Sequence, residues 1–215
     1  FSNFFGSLQQ WSREPMSLAA RENIRNTGQS LADTFQQANK KMYNHISSIN
    51  RELASVASEV NNLTKEIAKV NTQIKEIEGQ TANPANDLRD QREQLVSELS
   101  SLINIHTYED QDGMLTVQGP SSSLLVEKGH ASKLAVIPKS GNKGRSDLVL
   151  QGFSGSGQHI LTSKVKSGKI HALLDVRDNI VHNMIAEQDF MAKTFIDEFN
   201  KIHAKGTSLN SSEAS

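Results

Sequence analysis

Eleven apolar residues from Met42 to Ile77 recur by alternating steps of four and three: Met42, Ile46, Ile49, Leu53, Val56, Val60, Leu63, Ile67, Val70, Ile74 and Ile77. Such a run is a stripe of heptad a and d positions, and it commits the chain to a long helix with one apolar seam. At 1.5 Å per residue the helix from Met42 to Ile77 is roughly 50 Å long. Phe35 and Ala38 extend the seam upstream with a local stutter. The intervening positions are mostly Asn, Ser, Lys, Glu and Gln. Two structures satisfy this pattern: a helix buried in an intramolecular bundle, or the arm of an intermolecular coiled coil.

Other segments favour the bundle. Phe1, Phe4, Phe5, Leu8 and Trp11 lie at helical spacing, and Pro15 is expected to begin a second helix carried by Leu18, Ala19, Ile24 and Leu31. Gly28 lowers helix propensity by about 1 kcal/mol relative to Ala, so a break or bend is expected there. Gly79 ends the long helix and Gln80–Asn83 forms a polar connection. Pro84 and the Asn86-Asp87 pair then start a helix whose stripe is Leu88, Arg92, Leu95, Leu99 and Leu102. A connection this short turns that helix back antiparallel on the long one. The last helix is read from Gly168 to about His203, with Ile170, Leu173, Leu174, Ile180, Met184, Met191, Phe195, Phe199 and Ile202 on its apolar face and Gly206 closing it.

Between these helices the period changes to two. Ile105–Tyr108 and Met114–Gln118 flank the turn cluster Asp110-Gln111-Asp112-Gly113, which reads as a hairpin. Further strands are expected at Leu124–Val126, Lys133–Ile137, Asp147–Gln151 and Ile160–Lys164. The fold class is therefore mainly α with a small inserted β subdomain, an elongated antiparallel helical bundle or coiled-coil rod. Its expected parts are a helical rod over 1–103, the β subdomain over 104–167, a completing helix over 168–206 and a tail over 207–215.

Composition agrees. Hydrophobic residues make up 36% and aromatics 5%, and mean hydropathy is −0.49, lean for a compact globule but suited to helices burying narrow stripes. Acidic and basic residues number 24 and 23 and are interspersed, without the Lys/Arg cluster that nucleic acid requires. No apolar run has the length of a membrane span. The absence of cysteine excludes disulfides, thiolate nucleophiles and Cys-bearing zinc sites. The chain opens at Phe1 without an initiator Met and closes on the soft run Ser211–Ser215, and so reads as a piece of a longer polypeptide.

Candidate chemical motifs have bland explanations. The 7 histidines form no H-E-x-x-H pattern, and His171 and His182 are about three turns apart, too far to share an ion. Gly152, Gly155 and Gly157 lie in a strand-to-strand loop with no following G-K-[ST], so no phosphate cradle is expected. The Asp110–Gly113 cluster would need a closing Glu to bind calcium, and that place is Ser121. Ser163 and Lys166 match S-x-x-K in a strand, without partner motifs. Asn62-Leu63-Thr64 is a sequon within a heptad helix. No catalytic residue, cofactor site or metal site is assigned.

Asp87-Leu88-Arg89-Asp90 and Asp175-Val176-Arg177-Asp178 recur at what read as two helix starts, where carboxylates meet the positive end of the dipole. The arginines are expected either in ion pairs between adjacent helices or in solvated bridges worth less than about 1 kcal/mol each.

At these motifs the sequence resembles the bacterial flagellar hook-associated protein 1 family. The run Asn86, Asp87, Leu88, Arg89, Asp90, Gln91, Arg92, Glu93, Gln94, Leu95 resembles its N-D-L-x-D-Q-R-D-x-L segment. Gly168–Asp178, with Asp175, Arg177 and Asp178, resembles G-K-L-x-x-L-L-D-x-R-D. Glu198, Phe199, Asn200, His203 and Gly206 resemble E-F-N-x-x-H-x-x-G, and Phe4-Phe5 with Ala19-Ala20-Arg21 also fits. The matches keep their order and cover nearly the whole chain. His171 departs from the small residue common there, and the β region and the loop from Lys139 to Arg145 match poorly.

The resemblance implies a non-enzymatic subunit of the flagellum that joins hook to filament as a ring of copies. It implies contacts with other copies, hook protein and neighbouring hook-associated or filament proteins, and an export chaperone for the full-length protein. It also implies an extracellular location reached by type III export without a cleaved signal peptide. Polymerisation in the family is driven by outer terminal segments beyond these residues, so this chain alone is expected to be a monomer. Alternatives are another flagellin-like axial protein, or a free-standing coiled-coil module that grips a partner helix.

Overall fold

The computed structural model describes residues 1–80, 84–153 and 157–205. The expected connection at 81–83, Gly155, Gly206 and the tail over 207–215 lie outside the described residues. Five α-helices occur among the described residues: α1 Ser2–Arg13, α2 Leu18–Gln80, α3 Asn86–Leu102, α4 Gly168–Asp175 and α5 Val181–His203. Seven strands lie between α3 and α4: β1 His106–Glu109, β2 Leu115–Gln118, β3 Leu124–Glu127, β4 His130–Ala131, β5 Lys133–Pro138, β6 Ser146–Gln151 and β7 Gln158–Ile160. The fold is mainly α with a small two-sheet β insertion, as the periodicity indicates. Backbone contacts gather it into two compact units, one of residues 1–44 with 182–215 and one of residues 45–181.

In the 45–181 unit the heptad seam is the spine of the core. Ile46, Leu53, Val56, Val60, Ile67, Val70 and Ile74 are buried, whereas Ile77 is 44% exposed. Part of what covers the seam is helix: Leu99 and Leu102 of α3 and Ile170 and Leu174 of α4. The rest is sheet, through Val117, Leu125, Val126, Leu134, Leu148 and Leu150. A heptad pattern reports that one stripe is buried and is silent on whether a helix or a sheet buries it.

The strands form two antiparallel sheets, β1-β2-β3-β4 and β5-β6-β7. The expected hairpin is present, with Glu109 opposite Leu115. Asp110 shapes its turn by accepting from the amides of Asp112 and Met114 at 3.0 Å each, and Gly113 closes it at φ +74°. The two-residue β4 is too short to show as alternation. β7 ends at Ile160 instead of running to Lys164, because Leu161 folds into a turn in which its carbonyl accepts from Lys164 and Val165.

Several expected boundaries move. Pro15 lies in a turn and α2 starts at Leu18, where Ser17 Oγ accepts from the Ala20 amide at 3.3 Å. Gly28 does not break α2, which runs unbroken from Leu18 to Gln80. A Cβ there would stand 3.4 Å from Phe4 Cε2, so the missing side chain is where α1 packs closely. At α3 the start at Asn86 is as expected, but the N-cap is Ala85 and no side chain caps it. Instead Glu78 Oε1 accepts from the Ala85 amide at 2.9 Å.

The last helical segment is also not uniform. Val176–Ile180 is a π-turn between α4 and α5, so Asp175–Asp178 lies inside a helical run and not at a helix start. A π-turn holds one residue more than the α-turn it replaces. Past it the buried residues are Val181 and Ile185, whereas Ile180 and Met184, expected on the buried face, are 50% and 51% exposed.

In the unit of residues 1–44 and 182–215, Phe4 is buried. Its ring meets Phe195 at 5.7 Å and Phe199 at 5.6 Å. Gln188 Nε2 donates to the Phe35 carbonyl at 2.6 Å.

Candidate functional site

Asn50, Asn61 and Asn71 of α2 are spaced by close to three helical turns, which puts them on one face beside the apolar seam. Each uses its carboxamide as a peptide group does. Asn61 donates from Nδ2 to the Leu134 carbonyl at 2.8 Å and accepts from the Leu134 amide at 2.7 Å, pairing with the edge strand β5. Asn71 does the same to Leu115 of β2, at 2.7 and 3.0 Å, and also donates to the Lys128 carbonyl at 2.9 Å. Asn50 donates to the Gly144 carbonyl at 2.7 Å and accepts from the Ser146 amide at 3.4 Å. The long helix is thus tied to the β insertion by three side chains, beneath which no backbone polar group at the tie points is stranded.

Two of these asparagines receive a buried arginine. Arg92, 4% exposed, donates from Nη1 to Asn71 Oδ1 at 3.0 Å and to the Gly113 carbonyl at 2.7 Å. Its Nη2 reaches Glu109 at 2.6 Å. Arg177, 1% exposed, donates from Nη1 to Asn50 Oδ1 at 2.9 Å and to the Ser146 carbonyl at 2.7 Å. Its Nε and Nη2 hold the two oxygens of Asp178 at 2.8 Å each. One arrangement is therefore built twice: Nη1 is shared between an α2 asparagine and a backbone carbonyl of the β insertion, and Nη2 is on a carboxylate. The planar guanidinium suits this shared role and a lysine does not.

Arg89 extends the first cluster. It holds Glu78 through Nε and Nη2 at 2.8 and 2.9 Å and Glu109 through Nη1 at 2.8 Å. The Arg89 guanidinium and then the Ala85 amide draw the Glu78 carboxyl from 4.5 down to about 2. The carboxylates of Glu78 and Glu109 raise the Arg89 pKa in turn. Glu78, near the end of α2, thereby fastens the turn into α3.

The remaining motif residues have different settings. Asn86, Asp87, Asp90 and Gln91 are exposed on α3, so the ion pairs of this helix use Glu78 and Glu109 instead of its own aspartates. Asp87 stands in the first turn. Asp175 accepts from Asn179 at 2.6 Å, and Asp178 also faces Arg145 at 3.9 Å. In the other unit, Arg21 donates to the Pro15 carbonyl from Nε and Nη2 at 3.2 and 3.1 Å, closing the turn between α1 and α2. Phe199 stacks on Phe195 and on His203, each at 6.1 Å, and Asn200 is exposed. The asparagines that organise the two clusters escaped sequence reading, although their spacing on an apolar helix was a usable signal.

Among the described residues no group of three His, Asp or Glu side chains could hold a metal ion. No helix among them is long and apolar enough to cross a membrane. What the geometry defines is a scaffold: a long helix with a buried seam, locked to a β insertion by neutralised, hydrogen-bonded arginines.

The comparisons with known proteins specify which scaffold. The family model described as the flagellar hook-associated protein FlgK helical domain matches residues 1–215, and the chain belongs to that family. Flagellar hook-associated protein 1 of Salmonella typhimurium is 27% identical over 95% of this chain and 37% of its own length. The protein of the same name from Escherichia coli K12 is 25% identical over 97% of this chain and 38% of its own. This chain thus spans well under half the length of these relatives. The fold matches the solved structure of the flagellar hook junction protein FlgK from Burkholderia pseudomallei with a TM-score of 0.74, at 24% identity over 81% of this chain and 32% of that one.

Proposed function

We propose that this chain is the helical structural domain of a subunit that joins the flagellar hook to the filament. The observation that carries the reading is the match of the helical-domain family over the entire chain. In this role the protein works by lateral and axial packing, with other copies of itself in a ring and with hook and neighbouring filament proteins, and performs no chemistry. The full-length protein travels by type III export, accompanied by a chaperone and without a cleaved signal, and acts outside the cell.

Burial of the seam supports contact through the outer faces. A free-standing module that grips a partner helix would leave the middle of its seam open, whereas here Leu53, Val56, Val60 and Ile67 pack in one core with residues of α3, α4 and the two sheets. The motif arginines then serve as internal fasteners that hold the outer faces in fixed positions.

The test is motility and filament retention in cells lacking the full-length gene. Filaments should detach into the medium and return when the gene is restored. Filaments that stay anchored without it would end the junction assignment.

A further inference from the structure

A cleft of about 480 Å³ opens in the 45–181 unit between the β2–β3 connection and the strand β7, with Ser123, Ser132, Phe153, His159, Ile160 and Lys164 among the residues lining it. Its size is that of a ligand pocket. Two of its hydroxyls are out of balance. Ser132 is 5% exposed, and the Oγ atoms of both Ser132 and Ser123 are buried without a hydrogen-bond partner. Buried polar groups in this condition cost stability and are uncommon. The wall beside them is strained: Ser121 and Ser122 both adopt the left-handed backbone, φ +55° and +58°, which non-glycine residues seldom occupy in succession.

The other wall is an open strand edge. β7 is the last strand of its sheet. The Leu161 amide donates to the Leu148 carbonyl at 2.8 Å, so by antiparallel alternation the N–H and C=O groups of Ile160 and Gln158 point away from β6. Ile160 is 57% exposed and Phe153 is 37% exposed. The described lining contains Lys164 and His159 and no carboxylate. An edge that no other strand among the described residues pairs with, an apolar floor and a lysine without a carboxylate in the described lining together fit one kind of occupant.

We propose that this cleft receives an extended, acidic segment of a partner protein, which adds as a strand to the open edge of β7 and sets an apolar side chain between Phe153 and Ile160. The segment's backbone pairs with Gln158 and Ile160, its carboxylates meet Lys164 and His159, and its polar groups satisfy Ser123 and Ser132.

The probe is a blocked peptide alternating glutamate with leucine, titrated into the ¹⁵N-labelled chain and followed by NMR. Amide shifts should concentrate at Gln158, Ile160 and Ser122–Leu124. Ile160→Pro removes an outward N–H, a change that edge strands tolerate, and Lys164→Glu reverses a charge; each should weaken the peptide about tenfold. If Ile160→Pro loses its dispersed spectrum, Lys164→Glu decides the matter alone. Equal binding by a peptide with lysine in place of glutamate overturns the proposal. So do equal shifts along His106–Glu109, shifts produced by maltose and not by the peptide, or no shifts at millimolar peptide.

Discussion

Arg177 donates from Nη1 to Asn50 Oδ1 at 2.9 Å, and this bond joins the π-turn to the long helix at a point where Asn50 is already bonded to the β insertion. The π-turn belongs to the same arrangement, since Val176–Ile180 carries Arg177 where the guanidinium reaches Asn50, Ser146 and Asp178 together. Replacing Arg177 by Met leaves Asn50 Oδ1 and the Ser146 carbonyl short of a donor and Asp178 facing only Arg145; at about 1–3 kcal/mol for each buried group left unpaired, the expected loss is about 2–4 kcal/mol. Arg177→Lys should recover only part of this, because one ammonium cannot span three acceptors. Urea unfolding of the two variants measures both losses.

Asn71→Leu keeps the volume and removes four hydrogen bonds, to both Leu115 backbone groups, the Lys128 carbonyl and Arg92. At about 1–3 kcal/mol for each buried group left unpaired, partly relieved by rearrangement, the expected loss is about 3–5 kcal/mol. Asn62→Ala, at an exposed position of the same helix, should stay within about 0.5 kcal/mol of wild type. Equal losses would mean that the carboxamide of Asn71 is not what ties the helix to β2.

The acid limb of stability should depend on Glu78. Its carboxyl titrates at about 2 in the folded chain against 4.5 unperturbed. A depressed folded pKa contributes stability that is fully present above pH 4.5 and is lost as pH falls toward 2. Thermal melts across this window should show Glu78→Gln with a shallower decline than wild type and a lower Tm above pH 5. Parallel curves would assign the acid sensitivity to other carboxylates.

Two glycines should respond with opposite signs. A Cβ at Gly28 meets Phe4 at 3.4 Å, an ordinary contact, so Gly28→Ala should gain up to about 1 kcal/mol from helix propensity. Gly168 has φ +84°, and a Cβ there would lie 2.6 Å from the Leu102 carbonyl. Gly168→Ala should therefore lose more than about 2 kcal/mol from strain and overlap. Differential scanning calorimetry distinguishes the two.

The seam predicts both stability and oligomeric state. Ile67 is fully buried and Leu63 is only half-buried, so Ile67→Asp should unfold the chain at 25 °C while Leu63→Asp costs less. Because the seam from Leu53 to Ile67 packs in a core with other elements of the chain, sedimentation equilibrium should find a monomer at micromolar concentration. A parallel dimer dissociated by Ile67→Asp would mean that the seam pairs between chains.

Helical segments and the first hairpin were legible because each has a local cause. The heptad seam announces α2, the Asp110–Gly113 cluster announces its turn, alternation marks the hairpin strands β1 and β2, and short apolar runs mark β3, β5 and β6. The motif arginines were visible as residues, and their partners were not. Arg92 occupies a seam position of α3, where only the structure explains a charge: Asn71 comes from α2, and Glu109 and Gly113 from the first hairpin, each 17 or more residues from Arg92. The phase of the last helix was misread for a related reason. Extrapolating a 3.6-residue period through Val176–Ile180 selects Ile180 and Met184 as buried, and the extra residue of the π-turn moves burial to Val181 and Ile185.

By itself, then, the sequence determined that a long helix carries one buried stripe, that shorter helical segments precede and follow it, and that a small β insertion separates the last two. These follow from periodicity and turn chemistry, which act over a few neighbouring residues. Only the tertiary structure decided that sheets as well as helices close the stripe, and that Asn50, Asn61 and Asn71 act as peptide mimics. It alone decided that Arg92 and Arg177 are buried, neutralised fasteners. A hydrogen bond between Arg177 and Asn50 joins residues 127 positions apart, and no local pattern encodes which acceptor a buried donor will meet once the chain has folded around it.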